Sequence, residues 1–195
     1  MIFNAEISAG ALMVVETKLL AKLMLTNTSK EDWKQAIEVE NILQKKTPAT
    51  AKRQAILVKK RLELVAPELL GQIASSDNEL TLQLIFVSSL LHSQLHLDFM
   101  KKVYGEHLRI YESHIKKNAW SLFWDECAIL DPNINNWSEL TKKKLNQVIV
   151  KILSQAKFVD STHSQKLTPP DIRPEVIRLV KTYHPQILSG LEFSK

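Results

Sequence analysis

The sequence predicts an all-α fold, a compact multi-helix protein with two helix-turn-helix-like elements. Only four of the 195 residues are glycine. The segments between prolines are rich in Leu, Lys, Glu, Gln and Ala, which favours helix over sheet. Hydrophobic residues make up 45% and charged residues 24% of the chain. This composition is that of a globular protein with a buried core and argues against disorder.

Three helices are predicted in the N-terminal part. The first spans residues 9–25. The second follows the N-cap Ser29, which has an acidic residue at the matching capping-box position, and runs to about residue 43. After a tight connection, Thr47 caps a third helix, residues 48–65, that begins with a proline.

The third helix is predicted to have an apolar face and a basic face. At about 100° per residue, one apolar stripe must face a core; it contains Ala51, Ala55, Val58, Leu62 and Val65. The lysines and Arg53 project on the other side. A short turn followed by a capped basic helix is typical of a helix-turn-helix, although any αα-hairpin with a basic second helix shows the same pattern.

The middle of the chain is its most apolar part. A short helix at residues 67–73 precedes a capping box at residues 76–79. The apolar stretch 80–97 is predicted to be the buried centre, and residues 98–104 continue it as an amphipathic piece that ends near Gly105. Residues 106–116 match no single pattern and are left as loop and helix fragments.

A second basic helix is predicted near the C-terminus. A helix at residues 117–130 buries its aromatic face, and Ser138 then caps the basic helix. The short runs 157–160 and 165–168 flank a polar tetrapeptide and are compatible with a small β-hairpin, which after a basic helix resembles a winged helix. A last helix is predicted at residues 174–183, followed by a tail that is frayed or ordered by a partner.

We divide the chain into an N-terminal helical subdomain (1–75), central apolar helices (76–110) and a C-terminal winged-helix-like subdomain (111–195). The N-terminus lacks the pattern of a signal peptide, and no apolar run approaches the ~20 residues of a membrane span. A single cysteine, Cys127, lies among apolar residues, as a buried thiol in a reducing compartment does. A cytoplasmic protein that does not contact a membrane is expected.

Positive charge is concentrated in two stretches that contain no acidic residue, 41–62 and 140–159. They hold 12 of the 26 basic residues, so the remaining 14 stand against all 21 acidic residues of the chain. Each run taken alone also fits a solvated lysine-rich surface. Two such runs on predicted helices favour a polyanionic partner, because phosphate neutralisation supplies most nonspecific nucleic-acid affinity.

Most of the predicted contacts would grip phosphates and position the protein without reading sequence. Only Thr50, Arg53, Asn146 and Gln147 are candidates for base readout, since Arg pairs with guanine and Asn or Gln with adenine. The first set of predicted contacts, on the third predicted helix and just before it, comprises Lys45, Lys46, Thr50, Lys52, Arg53, Lys59 and Lys60. The second set, on the basic helix that Ser138 caps and just after it, comprises Lys142, Lys143, Lys144, Asn146, Gln147, Lys151 and Lys157.

Catalytic and metal-binding patterns are not found. His92 and His96 have the spacing of two metal ligands, but Ser93 stands where the zinc-protease motif needs Glu and no third ligand is placed. Two half-buried histidines in a leucine-rich helix explain the pair as well. Phosphate-binding glycine loops, Cys-x-x-Cys pairs and nucleophile elbows are missing too. We therefore predict a protein that is not an enzyme and needs no cofactor.

The chain resembles a known family. The run Asn41-Ile42-Leu43-Gln44-Lys45-Lys46-Thr47, with Thr50, Arg53 and Arg61-Leu62, preceded by Ser8-Ala9-Gly10-Ala11-Leu12 and Trp33, is similar to the BrxA family of bacteriophage-exclusion (BREX) defence systems. The C-terminal half resembles it in the helix over residues 141–152, in residues 156–159 and in the proline-rich segment that follows, so that the similarity spans residues 7–180.

The resemblance implies an all-α accessory protein with helix-turn-helix elements that binds double-stranded DNA and is encoded beside a methyltransferase, a phosphatase-like protein and ATPases. It implies no catalysis. It also keeps RNA open as a ligand, because the family has been compared with an RNA-binding antitermination fold. A third hypothesis is a protein-interaction adaptor that meets other BREX proteins. It is favoured by Ile56 and Leu57, which lean outward on the third helix. The same two residues equally fit packing under the long central helix.

Overall fold

The computed structural model describes residues 2–193. Over these residues the chain forms ten α-helices and no β-strand, so the all-α prediction is confirmed. The helices are α1 (Val14–Leu25), α2 (Lys30–Lys34), α3 (Pro48–Leu62), α4 (Pro67–Ser75), α5 (Asn78–His92), α6 (Gln94–Phe99), α7 (Glu106–Arg109), α8 (Ala119–Leu130), α9 (Glu139–Gln155) and α10 (Pro174–Tyr183). Short 3₁₀ helices cover Glu6–Ala9, Pro132–Asn136 and Pro185–Gly190, and π-helical turns cover Gln35–Val39 and Met100–Gly105.

The first two helices differ from their predicted bounds. The chain forms a separate 3₁₀ helix at Glu6–Ala9, and α1 begins only after Met13, whose φ of 51° is left-handed. The second helix widens into the π-helical turn and ends before Asn41, whose φ is also 51°. A left-handed residue interrupts the helical hydrogen-bond ladder, so the predicted start of the first helix and end of the second were wrong.

The turn before α3 is held by local side chains. The Asn41 side-chain amide makes two hydrogen bonds to the backbone of Lys45. Its Nδ2 donates to the Lys45 carbonyl and its Oδ1 accepts from the Lys45 N–H, both at 2.9 Å. Thr47 Oγ1 accepts from the backbone N–H of Thr50 at 3.2 Å, so the predicted cap is confirmed. All five residues of the predicted apolar stripe are buried. Of the two placements open to Leu57, outward or packed under a helix, the structure has the buried one.

The central apolar stretch is two helices rather than one. Asp77, not Ser76, caps α5 by accepting from the N–H groups of the second and third residues after it. After Ser93, which leaves helical geometry, the chain turns by 108° into the segment Gln94–Arg109. That segment continues through Gly105, where an end was predicted. No single helix over residues 2–193 is long and apolar enough to cross a membrane.

The C-terminal part places three short extended segments side by side. Val159 pairs with Leu167, and His114 pairs with Lys166, each through one antiparallel bridge. The predicted hairpin is therefore a single bridged turn without regular strands. Residues 113–115, which matched no pattern in the sequence, line its other side, since Leu167 N–H donates to the Ser113 carbonyl at 2.9 Å.

The tail beyond His184 packs against the body of the protein, so the expected fraying was wrong for the described residues. Its 3₁₀ helix buries Ile187, and Leu191 is buried beyond it. The Phe193 ring lies 5.2 Å from that of Tyr104, which is on the turn after α6. Apolar contact with this turn stabilises the tail in its packed position, and the tail sequence alone does not predict this contact.

One continuous apolar core underlies these elements. It runs from Phe3 to Leu191 and crosses both boundaries that we drew between subdomains. Helix α5 contributes most of the centre and packs against α1, α3, α4 and α10. The division into three subdomains stays a prediction.

Candidate nucleic-acid interface

The first set of predicted contacts lies on α3 and on the turn before it, and is named the α3 face. Most of its lysines have a carboxylate partner. Although residues 41–62 contain no acid, packing brings acids from other segments to them. The pairs are Lys45 with Glu16, Lys52 with Glu38 (Nζ to Oε1 3.3 Å), Lys59 with Glu63 (3.8 Å) and Lys60 with Glu6 (2.5 Å). Only Lys46 and Arg53 of this face lack an ion pair among residues 2–193. Pairing of four of its six cations reduces the net charge of the α3 face from +6 to +2.

Two further residues of this region have structural roles. Thr50 accepts a hydrogen bond from the Thr47 hydroxyl at 2.9 Å, within the N-cap of α3. Arg61 adds to the positive charge of the stretch, yet its side chain is buried. Its guanidinium donates to the carbonyl oxygens of Ala11 at 2.5 Å and Gly10 at 3.1 Å, and burial lowers its pKa to about 10. Arg61 therefore holds the N-terminal segment on α3 and is not exposed to a ligand.

The second set of predicted contacts lies on α9 and just beyond its end, and is named the α9 face. It keeps most of its charge available. Lys143, Lys144 and Lys151 are exposed, and among the described residues none of them has an ion-pair partner. Lys157 is exposed just beyond the end of the helix. Lys142 differs, because its ammonium contacts Glu139 at 2.7 Å and lies 5.5 Å from the centre of the Trp124 ring. Lys142 is therefore paired and half-buried, unlike the other lysines of the α9 face.

The two candidates for base readout on α9, Asn146 and Gln147, differ in exposure. Gln147 is exposed among the lysines, whereas Asn146 is half-buried on the flank of the helix. The same outer surface contains Leu140, whose side chain is 80% exposed. Together with Ser8, Leu140 lines a shallow depression that also contains Thr141, Lys143, Lys144 and Gln147. Sequence analysis did not select Leu140 or Ser8, although the four- and seven-residue spacings of Leu140 to Lys144 and Gln147 place them on one helical surface.

The two faces flank the N-terminal 3₁₀ helix. Glu6 on this helix accepts from Lys60 of α3 and lies 3.1 Å from His92 Nε2 of α5. The hydrogen bond from Lys60 lowers the pKa of the Glu6 carboxyl. On the other side, the Leu12 N–H donates to Gln155 Oε1 of α9 at 3.0 Å. Residues 6–12 therefore connect the two basic helices, which the sequence places about 90 residues apart.

The loop after α9 is held in place by Asp160. Its carboxylate accepts from the N–H groups of Ser161 at 2.6 Å and Lys166 at 2.9 Å, on both sides of the turn. The polar tip, residues 161–164, follows the exposed Lys157 four residues later in the chain. A charged helix end and a constrained polar loop are thus neighbours.

The histidine pair has no metal-site geometry within the part of the chain that the structure describes. His92 ends α5, while His96 lies on α6 beyond the break, so the shared helical face that their spacing suggested is not formed. No group of three His, Cys, Asp or Glu side chains able to hold a metal ion is found among residues 2–193. His96 is fully buried, and burial, with the charge of Arg61, lowers its pKa to about 3.

A family model described as BrxA matches residues 1–183. The chain belongs to the BrxA family. The family suggested by the residue pattern is thereby confirmed, and the chain is a BrxA-family protein of a BREX defence system.

Similar proteins extend over nearly the whole chain. A BREX protein BrxA from Paramagnetospirillum magneticum (strain ATCC 700264 / AMB-1) is 29% identical and covers 94% of this chain and 92% of its own. A BREX protein BrxA from Escherichia coli O9:H4 (strain HS) is 30% identical, with coverages of 87% and 80%. A solved structure, the crystal structure of an uncharacterized protein from Magnetospirillum magneticum, matches this BrxA-family fold with a TM-score of 0.91 and 27% identity over 100% of both chains.

Proposed function

We propose that this BrxA-family protein is a non-catalytic component of its BREX system that binds double-stranded DNA mainly through the outer surface of α9. The observation that carries the proposal is the row of exposed lysines, Lys143, Lys144 and Lys151, without carboxylate partners among residues 2–193. Such cations bind phosphates and release condensed counterions, which is the main source of nonspecific DNA affinity.

The order of elements around α9 supports a groove-reading role. Helix α7 is followed by the extended residues 113–115, then α8, α9 and the bridged turn around residues 161–164. This is the order of a winged helix-turn-helix, in which the second helix of the motif enters the major groove. The major groove of an RNA duplex is too deep and narrow for a helix, so we assign DNA as the ligand.

The α3 face has a secondary role in this proposal. Its lysines contact DNA only after they leave their carboxylates. The pairs of Lys52, Lys59 and Lys60 are largely exposed, and such pairs stabilise a protein by about 1 kcal/mol or less, so phosphates can displace them. Lys46 and Arg53, which are unpaired within residues 2–193, make the first contacts there.

A salt titration tests the proposal. Binding to a duplex of about 30 base pairs is measured for the wild type, for a triple Lys143/Lys144/Lys151→Ala variant and for a triple Lys45/Lys52/Lys60→Ala variant. With about six phosphates engaged, the log-log slope of affinity against salt is expected near −5. The α9 variant is expected to lose about three units of slope, and the α3 variant clearly fewer.

Three results would contradict the proposal: a slope near zero for the wild type, an α9 variant that binds like the wild type, or duplex RNA that competes better than duplex DNA of the same sequence. All lysines exchanged here have exposed or half-buried side chains, so thermal unfolding of each variant is expected to stay close to that of the wild type.

A second candidate function is an adaptor within the defence complex. It is favoured by exposed apolar residues on α8, where Leu122, Ile129 and Leu130 are 57%, 80% and 51% exposed. Of the two apolar residues of α3 that were considered for an outward position, Ile56 is exposed and Leu57 is buried. Co-purification with co-encoded BREX proteins that is lost in Leu122→Ser/Ile129→Ser, but kept in the α9 triple variant, would favour the adaptor.

A further inference from the structure

An exposed leucine, Leu140, lies about one helical turn before the row of exposed lysines on α9. Leu140 is in the first turn of the helix, which begins at Glu139 and is capped by Ser138. Its 80% exposure means that the fold does not use it as a core residue. Single exposed leucines are common and need no explanation by themselves. Leu140 differs because the depression it lines is otherwise formed by polar residues and lysines.

The position of Leu140 along α9 matches the geometry of a groove-reading helix. Residues in the first turns of a recognition helix are those that meet base edges. Gln147, exposed on the same surface, is seven residues away, which is about 10.5 Å along the helix axis. Three base-pair steps of about 3.4 Å each span nearly the same length. The two side chains therefore address base pairs about three steps apart.

The chemistry of the two side chains differs in a useful way. In the major groove, thymine is the base that presents a methyl group, and apolar side chains contact that methyl. The amide of glutamine instead pairs with the N6 and N7 atoms of adenine. The flanking lysines Lys143 and Lys144 bind phosphates and do not discriminate among bases.

From this arrangement we propose that Leu140 is a specificity-determining residue that contacts the methyl group of a thymine, about three base pairs from an adenine bound by Gln147. This inference rests on the proposed DNA-binding function. It assigns the ligand as a duplex with a thymine and an adenine at that spacing, and it gives Leu140 no part in overall affinity for phosphates.

The test uses duplexes selected by the wild-type protein from a random pool at fixed salt. In the preferred duplex each thymine is replaced singly by deoxyuridine, which removes the methyl group and leaves hydrogen bonding and phosphates unchanged. At one position the wild type is expected to lose about four-fold in affinity, the effect of exposing one buried methyl. Leu140→Ala is expected to bind the thymine and uracil duplexes equally.

Two variants serve as controls. Ile129→Ala removes an equally exposed apolar side chain from α8 and is expected to keep the four-fold discrimination. Gln147→Ala is expected to keep it as well, while losing the preference for adenine about three base pairs away. Since both Leu140 and Ile129 are 80% exposed, thermal unfolding of either variant is expected to match the wild type.

The outcomes separate this inference from the proposed function. Salt-dependent binding without enrichment of any sequence, or with no thymine at which uracil matters, overturns the role of Leu140 and leaves DNA binding intact. Discrimination that persists in Leu140→Ala overturns it too. A wild type without salt-dependent binding overturns the proposed function together with the inference.

Discussion

The buried guanidinium of Arg61 donates to the carbonyl oxygen of Ala11 at 2.5 Å, across a sequence distance of 50 residues. A second donor reaches the carbonyl of Gly10. No carboxylate of residues 2–193 forms an ion pair with this cation, so backbone dipoles alone stabilise it. Arg61 thus connects the N-terminal segment to α3.

Replacing Arg61 is expected to destabilise the protein. Arg61→Ala leaves the buried carbonyl of Ala11 and the half-buried carbonyl of Gly10 without this donor, and is expected to lower the free energy of unfolding by about 3 kcal/mol, measured by urea denaturation. Lys60→Ala, at the neighbouring exposed position, is the matched control and is expected to change it by less than about 1 kcal/mol. A loss below about 1 kcal/mol in Arg61→Ala would contradict this role.

Acidification is expected to destabilise the protein through His96. Its pKa is about 3 in the fold and 6.5 ordinarily, so between these values the unfolded chain binds the proton and the folded chain does not. Stability is therefore complete above pH 6.5 and decreases as the pH falls towards 3. His96 alone is expected to remove about 2 kcal/mol between pH 8 and pH 5.

Urea denaturation at pH 8 and pH 5 measures this effect. In His96→Leu the difference between the two pH values is expected to shrink by about 2 kcal/mol, whatever the effect of the substitution at pH 8. His163→Ala, at an exposed histidine of the loop after α9, is the control and keeps the wild-type difference. Equal pH dependence in wild type and His96→Leu would refute the assignment.

Freeing the paired lysines of the α3 face is expected to strengthen DNA binding. Glu16→Gln/Glu38→Gln removes the partners of Lys45 and Lys52 without changing side-chain size. The salt slope is expected to steepen by about two units, one for each lysine that then neutralises a phosphate. Glu175→Gln, which removes one of the two carboxylate partners of Arg173 and leaves Asp77 in place, is the control for the loss of an acidic residue away from this face. If the slope of the double variant equals that of the control, the α3 face does not contact DNA.

The thiol of Cys127 is expected to be unreactive in the folded protein. Burial raises its pKa to about 12, so almost no thiolate is present at pH 8. A thiol-specific colorimetric reagent is expected to react only after denaturant is added. Leu122→Cys, exposed on the same helix, should react at once and shows that the assay works. Rapid labelling of the wild type under native conditions would contradict this burial.

Local signals were readable from the sequence because their causes are local. The caps Ser29, Thr47 and Ser138 each accept the backbone N–H predicted for them, since capping involves residues two or three positions apart. The apolar stripe of α3 and the bounds of the last helix, Pro174–Tyr183, follow from periodicity and proline placement in the same way.

Features that depend on distant segments were not readable. The pair of Lys60 and Glu6 joins residues 54 positions apart, so an acid-free stretch of sequence did not remain acid-free in space. Arg61 lies at the edge of the apolar stripe, and only the N-terminal segment packed over it explains its burial. Phe193 is ordered against Tyr104 for a similar reason. The salt titrations of the lysine and glutamate variants test which of the predicted site residues bind DNA.

The carboxylates around α3 make that surface an ion exchanger. A phosphate that approaches Lys52 or Lys60 must displace Glu38 or Glu6, and the displaced carboxylate remains nearby and repels weakly held anions. Small, singly charged anions gain too little from such an exchange, whereas a polymer with closely spaced charges displaces several carboxylates together. On the proposed DNA-binding role, we therefore expect the α3 surface to be selective for charge density, a property that a bare row of lysines does not have.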